Sequence, residues 1–206
     1  MLYLLHGING YEGSWQKKGG AIDTVTRLIA EGKCPPMMVV MPDCNKWPTR
    51  PHPGKKNLWT YLLRYHYISH EHDLEQSIVE LMDMIDSTYC VSTAVMAGLS
   101  DGARLIANVA NRHPGRVVAV GMFSPVLHKA QLPDKNISTP EYGIHIYVGK
   151  QDIFYPYAKC FHKRLDKQQY PHQWNLMRGT HDWDVWSQCL SLFLQDMDST
   201  IGKWSE

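Results

Sequence analysis

The sequence lacks the features that mark membrane proteins, disulfide-rich domains and nucleic-acid-binding proteins. No apolar run approaches the roughly 20 residues that a transmembrane helix needs. Lysine and arginine total 21 against 20 acidic residues, so no excess of one charge favours nucleic acid or an anionic membrane as a partner. The five cysteines are odd in number and contain no C-x-x-C pair, so neither a disulfide framework nor a thiolate zinc site is indicated. We therefore expect a small-molecule ligand.

The length and the opening residues set the expected organisation. The 206 residues suffice for one well-cored domain, and we predict a single domain over residues 1–206. The opening MLYLL runs straight into His6 and Gly7, without the basic start or cleavage site of a signal peptide. As written, the chain is expected in the cytoplasm, and a secreted or periplasmic location stays open if the amino terminus is incomplete.

Strand-like and helix-like segments alternate along the chain. Several of the strand-like runs are apolar on both faces, as in a covered parallel sheet; the six runs are 2–5, 37–41, 93–97, 117–123, 144–148 and 173–177. Apolar stripes with helical spacing lie between or after them, over residues 74–85, 105–110 and 183–197. The alternation predicts an α/β fold with right-handed crossovers.

The longest irregular stretch, Pro42 to Tyr65, contains four prolines and two tryptophans and follows the carboxyl end of a predicted strand. Ligands bind at that edge of an open α/β sheet, so the stretch is a candidate pocket wall. A plain surface excursion is the equal alternative.

The sequence GLSDG, residues 98–102, separates a predicted strand from a predicted helix. A serine hydroxyl attacks a carbonyl carbon only if it projects from the backbone and a base takes its proton. The strand-to-helix turn G-x-S-x-G provides the projection, with glycines where a Cβ atom would collide. Ser100 is therefore the candidate nucleophile.

The remaining members of a triad are expected in the order acid, then base. Asp152 follows the strand that ends near Val148, and His181 follows the strand that ends near Met177, so both should project to the same sheet edge as Ser100. His181 would serve as general base, and Asp152 would fix its tautomer. Asp134 is an alternative acid, but it lies in a loop before the relevant strand and is more typical of a turn.

An acyl-transfer site also needs donors aimed at the developing oxyanion. The backbone N–H of Asp101, at the start of a helix, is one candidate. The N–H of Ile8, in the His-Gly loop after the first strand, is the second.

Together these segments resemble the α/β-hydrolase fold, and within it the putative esterase (esterase D-like) family that includes feruloyl and acetyl-xylan esterases. The resemblance is carried by LYLLHGINGYEGSW, VVMPDCN, IDSTYCVSTAVMAGLSDGARLIANVANRHPGRVVAVGMFSP, YVGKQDIF and GTHDWDVW. It implies a mostly parallel sheet of about six strands in the order 2-1-3-4-5-6 with helices on both faces, and hydrolysis of a carboxylic ester through an acyl-enzyme on Ser100. It implies no cofactor.

The sequence departs from the family in two places. Its members carry further strands before the His-Gly strand, with which this chain begins, and the exposed edge that this would leave makes a homodimer one option. Asp101 stands where the family often has an apolar residue, and a carboxylate there could repel the oxyanion. These departures favour a catalytically silent binding module as the alternative function; an acyltransferase using the same triad is another.

The substrate-binding candidates are His6, Trp47 and Trp183. For His6 the competing role is bracing of the loop by hydrogen bonds, which we favour; Trp183 is expected nearer the site than Trp186, which is expected in the core. His66 and His70 lie four residues apart, but no third ligand is indicated and the stretch is not H-E-x-x-H, so no metal site is predicted.

Overall fold

The computed structural model describes residues 1–44, 71–91, 93–127, 131–133 and 142–201. Most of the candidate pocket wall, including Trp47, and the histidines at positions 66 and 70 lie outside these residues. No helix within the described ranges is both long enough and apolar enough to cross a bilayer.

Six parallel strands form one sheet: β1 (Leu2–Leu5), β2 (Val39–Val40), β3 (Val95–Leu99), β4 (Ala119–Phe123), β5 (Gly143–Gly149) and β6 (Gln173–Met177). Their order is β2-β1-β3-β4-β5-β6, which confirms the predicted order. Leu2 pairs with Val39 on one side and with Val95 on the other, so β1 is an interior strand. All four residues of β1 are fully buried, which explains its continuous apolar run.

Within the described ranges, six helices connect or follow the strands: α1 (Ser14–Lys17), α2 (Ala21–Ala30), α3 (Glu71–Tyr89), α4 (Asp101–Arg112), α5 (Tyr155–Lys167) and α6 (Trp183–Ile201). The stripes at residues 74–85, 105–110 and 183–197 correspond to α3, α4 and α6. Helices α1, α2 and α5 were not predicted. Helix α1 is only four residues long, and few apolar residues of α5 face the core.

The helices bury the sheet on both faces. On one face, α3, α4 and α5 pack against alternate strand residues such as Met96, Val120 and Ile146. On the other, α1, α2 and α6 cover the remaining set, which includes Phe123 and Tyr147. Successive side chains of a strand therefore point in turn into the two cores, as in other covered parallel sheets.

The parallel arrangement collects five polar residues at one edge. His6, Ser100 and Ser124 directly follow β1, β3 and β4, while Asp152 and His181 lie three and four residues past β5 and β6. The carboxyl ends of parallel strands share one edge of the sheet, where ligands bind in open α/β folds. The candidate site therefore lies here.

Candidate active site

Ser100 lies on a sharp turn between β3 and α4. Its backbone has φ 53° and ψ −113°, a combination that residues with a Cβ atom rarely adopt. Such strain persists only where the surrounding structure enforces it, and it is concentrated at functional sites. The residue is 9% exposed, so only a small part of it meets solvent at the sheet edge.

The two glycines of GLSDG permit the strands and the helix to approach each other at this turn. A Cβ atom at Gly98 would lie 2.8 Å from the carbonyl carbon of Gly102. A Cβ atom at Gly102 would lie 2.5 Å from the carbonyl oxygen of His6. Both separations are too short for any side chain, so the turn and its contact with the loop after β1 require glycine at both positions.

Asp152 and His181 form a direct pair. The Nδ1 atom of His181 lies 3.1 Å from Oδ1 and 3.0 Å from Oδ2 of Asp152. With the carboxylate ionised, Nδ1–H donates to it and the lone pair remains on Nε2, the tautomer that a general base requires. The His181 ring also packs edge-on against Phe154 and Trp186, with centroid separations of 4.9 and 4.8 Å. Carboxylate and aromatic contacts together fix the orientation of the ring.

The Asp152 carboxyl is 4% exposed and remains ionised. Burial acts to raise the pKa of this carboxyl, but hydrogen bonds from His181, the Ser124 hydroxyl and the Phe154 backbone N–H outweigh burial and hold the pKa below its ordinary value. The Phe154 N–H lies 2.7 Å from Oδ1. The charged form that orients His181 is thus the form that the protein stabilises.

Ser124 is a member of the site that sequence reasoning missed. It is fully buried, its φ is 46°, and its hydroxyl donates to Asp152. The indole Nε1–H of Trp186 donates to Ser124 Oγ over 3.0 Å. A chain of hydrogen bonds therefore runs from Trp186 through Ser124 to Asp152 and His181. The available signal was positional: Ser124 is the first residue after β4, as Ser100 is after β3.

Ser100 and His181 lie at the same sheet edge, and no hydrogen bond joins their side chains within the described residues. Catalytic hydrogen bonds are often long before a substrate binds. The candidate triad thus consists of one formed pair, Asp152–His181, and a strained Ser100 at the same edge.

The loop after β1 lies directly against Ser100. A Cβ atom at Gly7 would lie 3.1 Å from the Cβ of Ser100 and 2.7 Å from Cδ1 of Leu99. The loop closes on itself through a hydrogen bond from the Gly10 N–H to the Gly7 carbonyl, 3.0 Å long, which makes Ile8 and Asn9 the corner. Of the predicted donors, Asp101 directly follows the nucleophile at the first position of α4, and Ile8 lies in this corner, next to the Gly7 that contacts Ser100.

The buried side chain of His6 stabilises this loop through hydrogen bonds. Its ring is 3% exposed, its Nδ1 lies 2.8 Å from the Gly7 carbonyl, and the Cys44 N–H donates to its Nε2 over 2.9 Å. A Cβ atom at Gly10 would lie 2.6 Å from the His6 ring. With both nitrogens hydrogen-bonded and the ring buried, the geometry favours the bracing role, and contact between His6 and a substrate stays a prediction.

Asp101 does not present an unpaired charge beside the nucleophile. Its Oδ1 accepts hydrogen bonds from Nε and Nη2 of Arg104, at 2.9 and 2.7 Å. The Arg104 side chain is 3% exposed and that of Asp101 is 19% exposed. The carboxylate is therefore neutralised on the same helix turn, which removes the main electrostatic objection to an oxyanion at this position.

The two tryptophans of α6 differ from the expectation in which of them lies against His181. Trp186 is in the core as predicted, but its ring, and not that of Trp183, contacts His181. Trp183 packs edge-on against Trp15 and Trp186, both at 5.2 Å. Contact between Trp183 and a substrate stays a prediction, and Trp47 lies outside the described residues.

Comparison with known proteins adds a matching family model. The sequence model of the Putative esterase family matches residues 1–145, which contain the His-Gly loop and Ser100; Asp152 and His181 lie beyond the match.

Solved structures share the fold at low sequence identity. A ferulic acid esterase from Anaeromyces mucronatus, in complex with ferulic acid, has a TM-score of 0.75 and 22% identity over 94% of this chain and 77% of that chain. An S-formylglutathione hydrolase from Staphylococcus aureus has a TM-score of 0.70 and 19% identity, covering 95% of this chain and 80% of that one. A carboxylesterase from Mesorhizobium loti has a TM-score of 0.66 and 16% identity, covering 96% and 87%.

Proposed function

Because this chain belongs to the Putative esterase family and is a carboxylic ester hydrolase, we propose that it works through an acyl-enzyme on Ser100, with His181 as general base and Asp152 as the residue that orients it. The observation that best supports the proposal is the strained Ser100 on a turn that only glycine neighbours permit. The Asp152–His181 pair at the same edge supports it further.

The first half of the reaction transfers the acyl group to the enzyme. His181 Nε2 takes the hydroxyl proton as Ser100 Oγ attacks the ester carbonyl, and the tetrahedral intermediate places its negative oxygen between the N–H groups of Ile8 and Asp101. The positive N-terminus of α4 favours the same charge. The imidazolium then gives its proton to the departing alcohol, while the Asp152 carboxylate stabilises the cation.

The second half returns the enzyme to its starting state. Water, deprotonated by His181, attacks the acyl carbon, and the acid leaves as Ser100 regains its proton. No cofactor is needed in either half. An alcohol in place of water would give acyl transfer, so the identity of the second nucleophile distinguishes a hydrolase from an acyltransferase.

The fold neighbours suggest which esters to test. One acts on ferulic acid esters and another on S-formylglutathione according to their names, so an aromatic acyl ester and a small acyl thioester belong beside simple alkyl esters. We propose a small or carbohydrate-linked ester as the natural substrate.

The test is hydrolysis of nitrophenyl esters from acetate to octanoate, a feruloyl ester and a formyl thioester by the parent and by Ser100→Ala. We expect the variant to lose at least about a thousandfold in kcat/KM, since it lacks the nucleophile. Ser87→Ala is the matched control, because Ser87 is an exposed serine on α3 whose hydroxyl only bonds the Met84 carbonyl.

A fluorophosphonate that labels the parent and not Ser100→Ala would give independent support for an activated serine. Background rates for a folded parent with every ester, together with no labelling, would contradict the proposal and favour the silent binding module. Product analysis with added methanol separates hydrolysis from acyl transfer.

A further inference from the structure

Three potential metal ligands converge at the opposite edge of the sheet from Ser100. His162 and Asp166 lie one turn apart near the end of α5, and His172 directly precedes β6. One ligand atom from each lies within 4.8 Å of the other two. Within the described ranges this is the one grouping of three such side chains. We propose that it binds a divalent late first-row transition ion, with Zn²⁺ as the best candidate.

The separations match a shared ion. His162 Nδ1 lies 2.7 Å from His172 Nε2, and Asp166 Oδ1 lies 3.7 Å from the same His172 nitrogen. Ligands about 2.0–2.1 Å from a tetrahedral zinc are separated from each other by about 3.4 Å. The two observed distances lie on either side of this value, and imidazole and carboxylate are common zinc ligands.

The tautomer of His172 already suits a ligand. Its Nδ1 lies 2.8 Å from the Tyr170 carbonyl oxygen, so Nδ1–H donates there and the lone pair of Nε2 faces the cluster. A metal-binding histidine usually donates its other N–H to a carbonyl or carboxylate in this way. The His172 side chain is 5% exposed, so this orientation is held by its surroundings.

His162 becomes a ligand by a shift of one proton within its ring. In the free protein its Nδ1–H donates to His172 Nε2; with an ion bound, the proton sits on Nε2, which lies 3.4 Å from Asp166 Oδ2. Both Nδ1 of His162 and Nε2 of His172 then face the ion, and Asp166 supplies a carboxylate oxygen as the third ligand. The ring is also held by stacking on Trp174, at 4.5 Å and 8°.

The backbone between the ligands is fixed. The turn from α5 to β6 is closed by hydrogen bonds from the Tyr170 N–H to Leu165 and from the Gln168 N–H to Arg164, 3.0 and 3.1 Å long. Tyr170 is 6% exposed and anchors the turn in the core. Asp166 is 56% exposed, which leaves an approach for the ion and for a water as fourth ligand. The ion would join α5 to the start of β6, the strand that leads to His181.

The experiment is a Zn²⁺ titration of the tag-free, EDTA-treated full chain against a chromophoric chelator, compared with His162→Ala, Asp166→Asn and His172→Ala. The parent is expected to bind one equivalent that each variant binds at least about tenfold more weakly. His113→Ala is the matched control, because His113 also has a carboxylate partner, Glu75, but no second histidine, and should bind as the parent does.

Two further readouts locate the ion. Zn²⁺ should raise the melting temperature of the parent and of His113→Ala but not that of the three variants, since an ion that binds only the folded state stabilises it. Ni²⁺ should quench the fluorescence of Trp174, and Trp174→Phe should remove this part of the quenching while Zn²⁺ binding persists. If a histidine variant fails to fold, Asp166→Asn still tests the site, because the Asp166 side chain is largely exposed and its replacement should not prevent folding.

Equal Zn²⁺ affinity and stoichiometry in the parent and in Asp166→Asn or His172→Ala would overturn the proposal, as would binding by the parent that appears only at millimolar Zn²⁺. Esterase activity does not enter the test, so its outcome is independent of the proposed mechanism.

Discussion

Replacement of Ser124 by alanine tests whether the hydrogen-bond chain behind Asp152 contributes to catalysis. The variant loses a hydrogen bond to a carboxylate, worth about 1.5–3 kcal/mol, and leaves the Trp186 indole N–H without its buried acceptor, at a cost of about 1–3 kcal/mol. Because the site relaxes in part, we expect the free energy of unfolding to fall by about 3 kcal/mol.

The effect on the reaction is smaller than the effect on stability. Asp152 keeps the Phe154 N–H and His181, so it still orients the ring, but it stabilises the imidazolium less well in a site that has lost one donor. We expect kcat to fall by about tenfold with little change in KM, since the interaction strengthens in the transition state. The assay is steady-state hydrolysis of the best nitrophenyl ester together with urea unfolding.

Ser124→Gly is the matched comparison. It removes the same hydroxyl but relieves the positive φ of 46°, so it should be more stable than Ser124→Ala by up to about 1 kcal/mol. If the hydroxyl is what matters for catalysis, both variants lose kcat equally despite their different stabilities. A Ser124→Ala enzyme that is destabilised yet retains the parental kcat would refute the reasoning, because Ser124 would then serve packing alone.

Two further predictions concern charges at the site. Arg104→Met leaves the Asp101 carboxylate without its buried partner, so we expect about 3 kcal/mol lower stability and a reduced kcat/KM. The double variant Asp101→Asn/Arg104→Met should regain part of the stability, measured by urea unfolding, and part of the kcat/KM, measured by ester hydrolysis. A double variant no better than the single one would count against charge as the cause. Asp152 has a lowered pKa in the folded protein, so its contribution to stability is fully present above the ordinary value of 3.8 and is lost as the pH falls through the lower folded value. The difference in unfolding free energy between the parent and Asp152→Asn should therefore stay constant from about pH 7 to pH 5 and shrink below about pH 4, whereas a difference that shrinks on the alkaline side would have the wrong sign.

The parts of the fold that the sequence predicts are those with strong local signals. The interior strands β1, β3, β4 and β5 are predicted from apolar runs, since both faces of the sheet are covered there; the edge strands β2 and β6 are only partly buried and have weaker patterns. The ends of β2 were overestimated, because the apolar run at 37–41 extends beyond the two residues that pair with β1. Helix α5 was not predicted, because its buried apolar residues are few and stand among charged neighbours; they are Ala158, Phe161 and Leu165.

The residues of the candidate site likewise differ in whether a local sequence pattern predicts them. Ser100, Asp152 and His181 could be proposed from their positions after strands, because parallel topology brings those ends together. Ser124 and the Asp101–Arg104 pair could not, because a side-chain hydrogen bond depends on rotamers and on distances of a few tenths of an ångström that spacing does not determine. The His162–Asp166–His172 cluster needs the turn between α5 and β6, whose geometry brings residues six apart into contact.

The positions of the five polar residues after five different strands also set the order in which the chemistry becomes possible. The loop after β1 and the Ser100 turn are complete once β1 to β4 and α4 have assembled, but the proposed base arrives with the turn after β6. On the proposed mechanism, a chain emerging from the ribosome holds the nucleophile well before it holds the base. Reactivity would then appear only when β6 has docked, and recovery of esterase activity during refolding would report completion of the sheet rather than its nucleation.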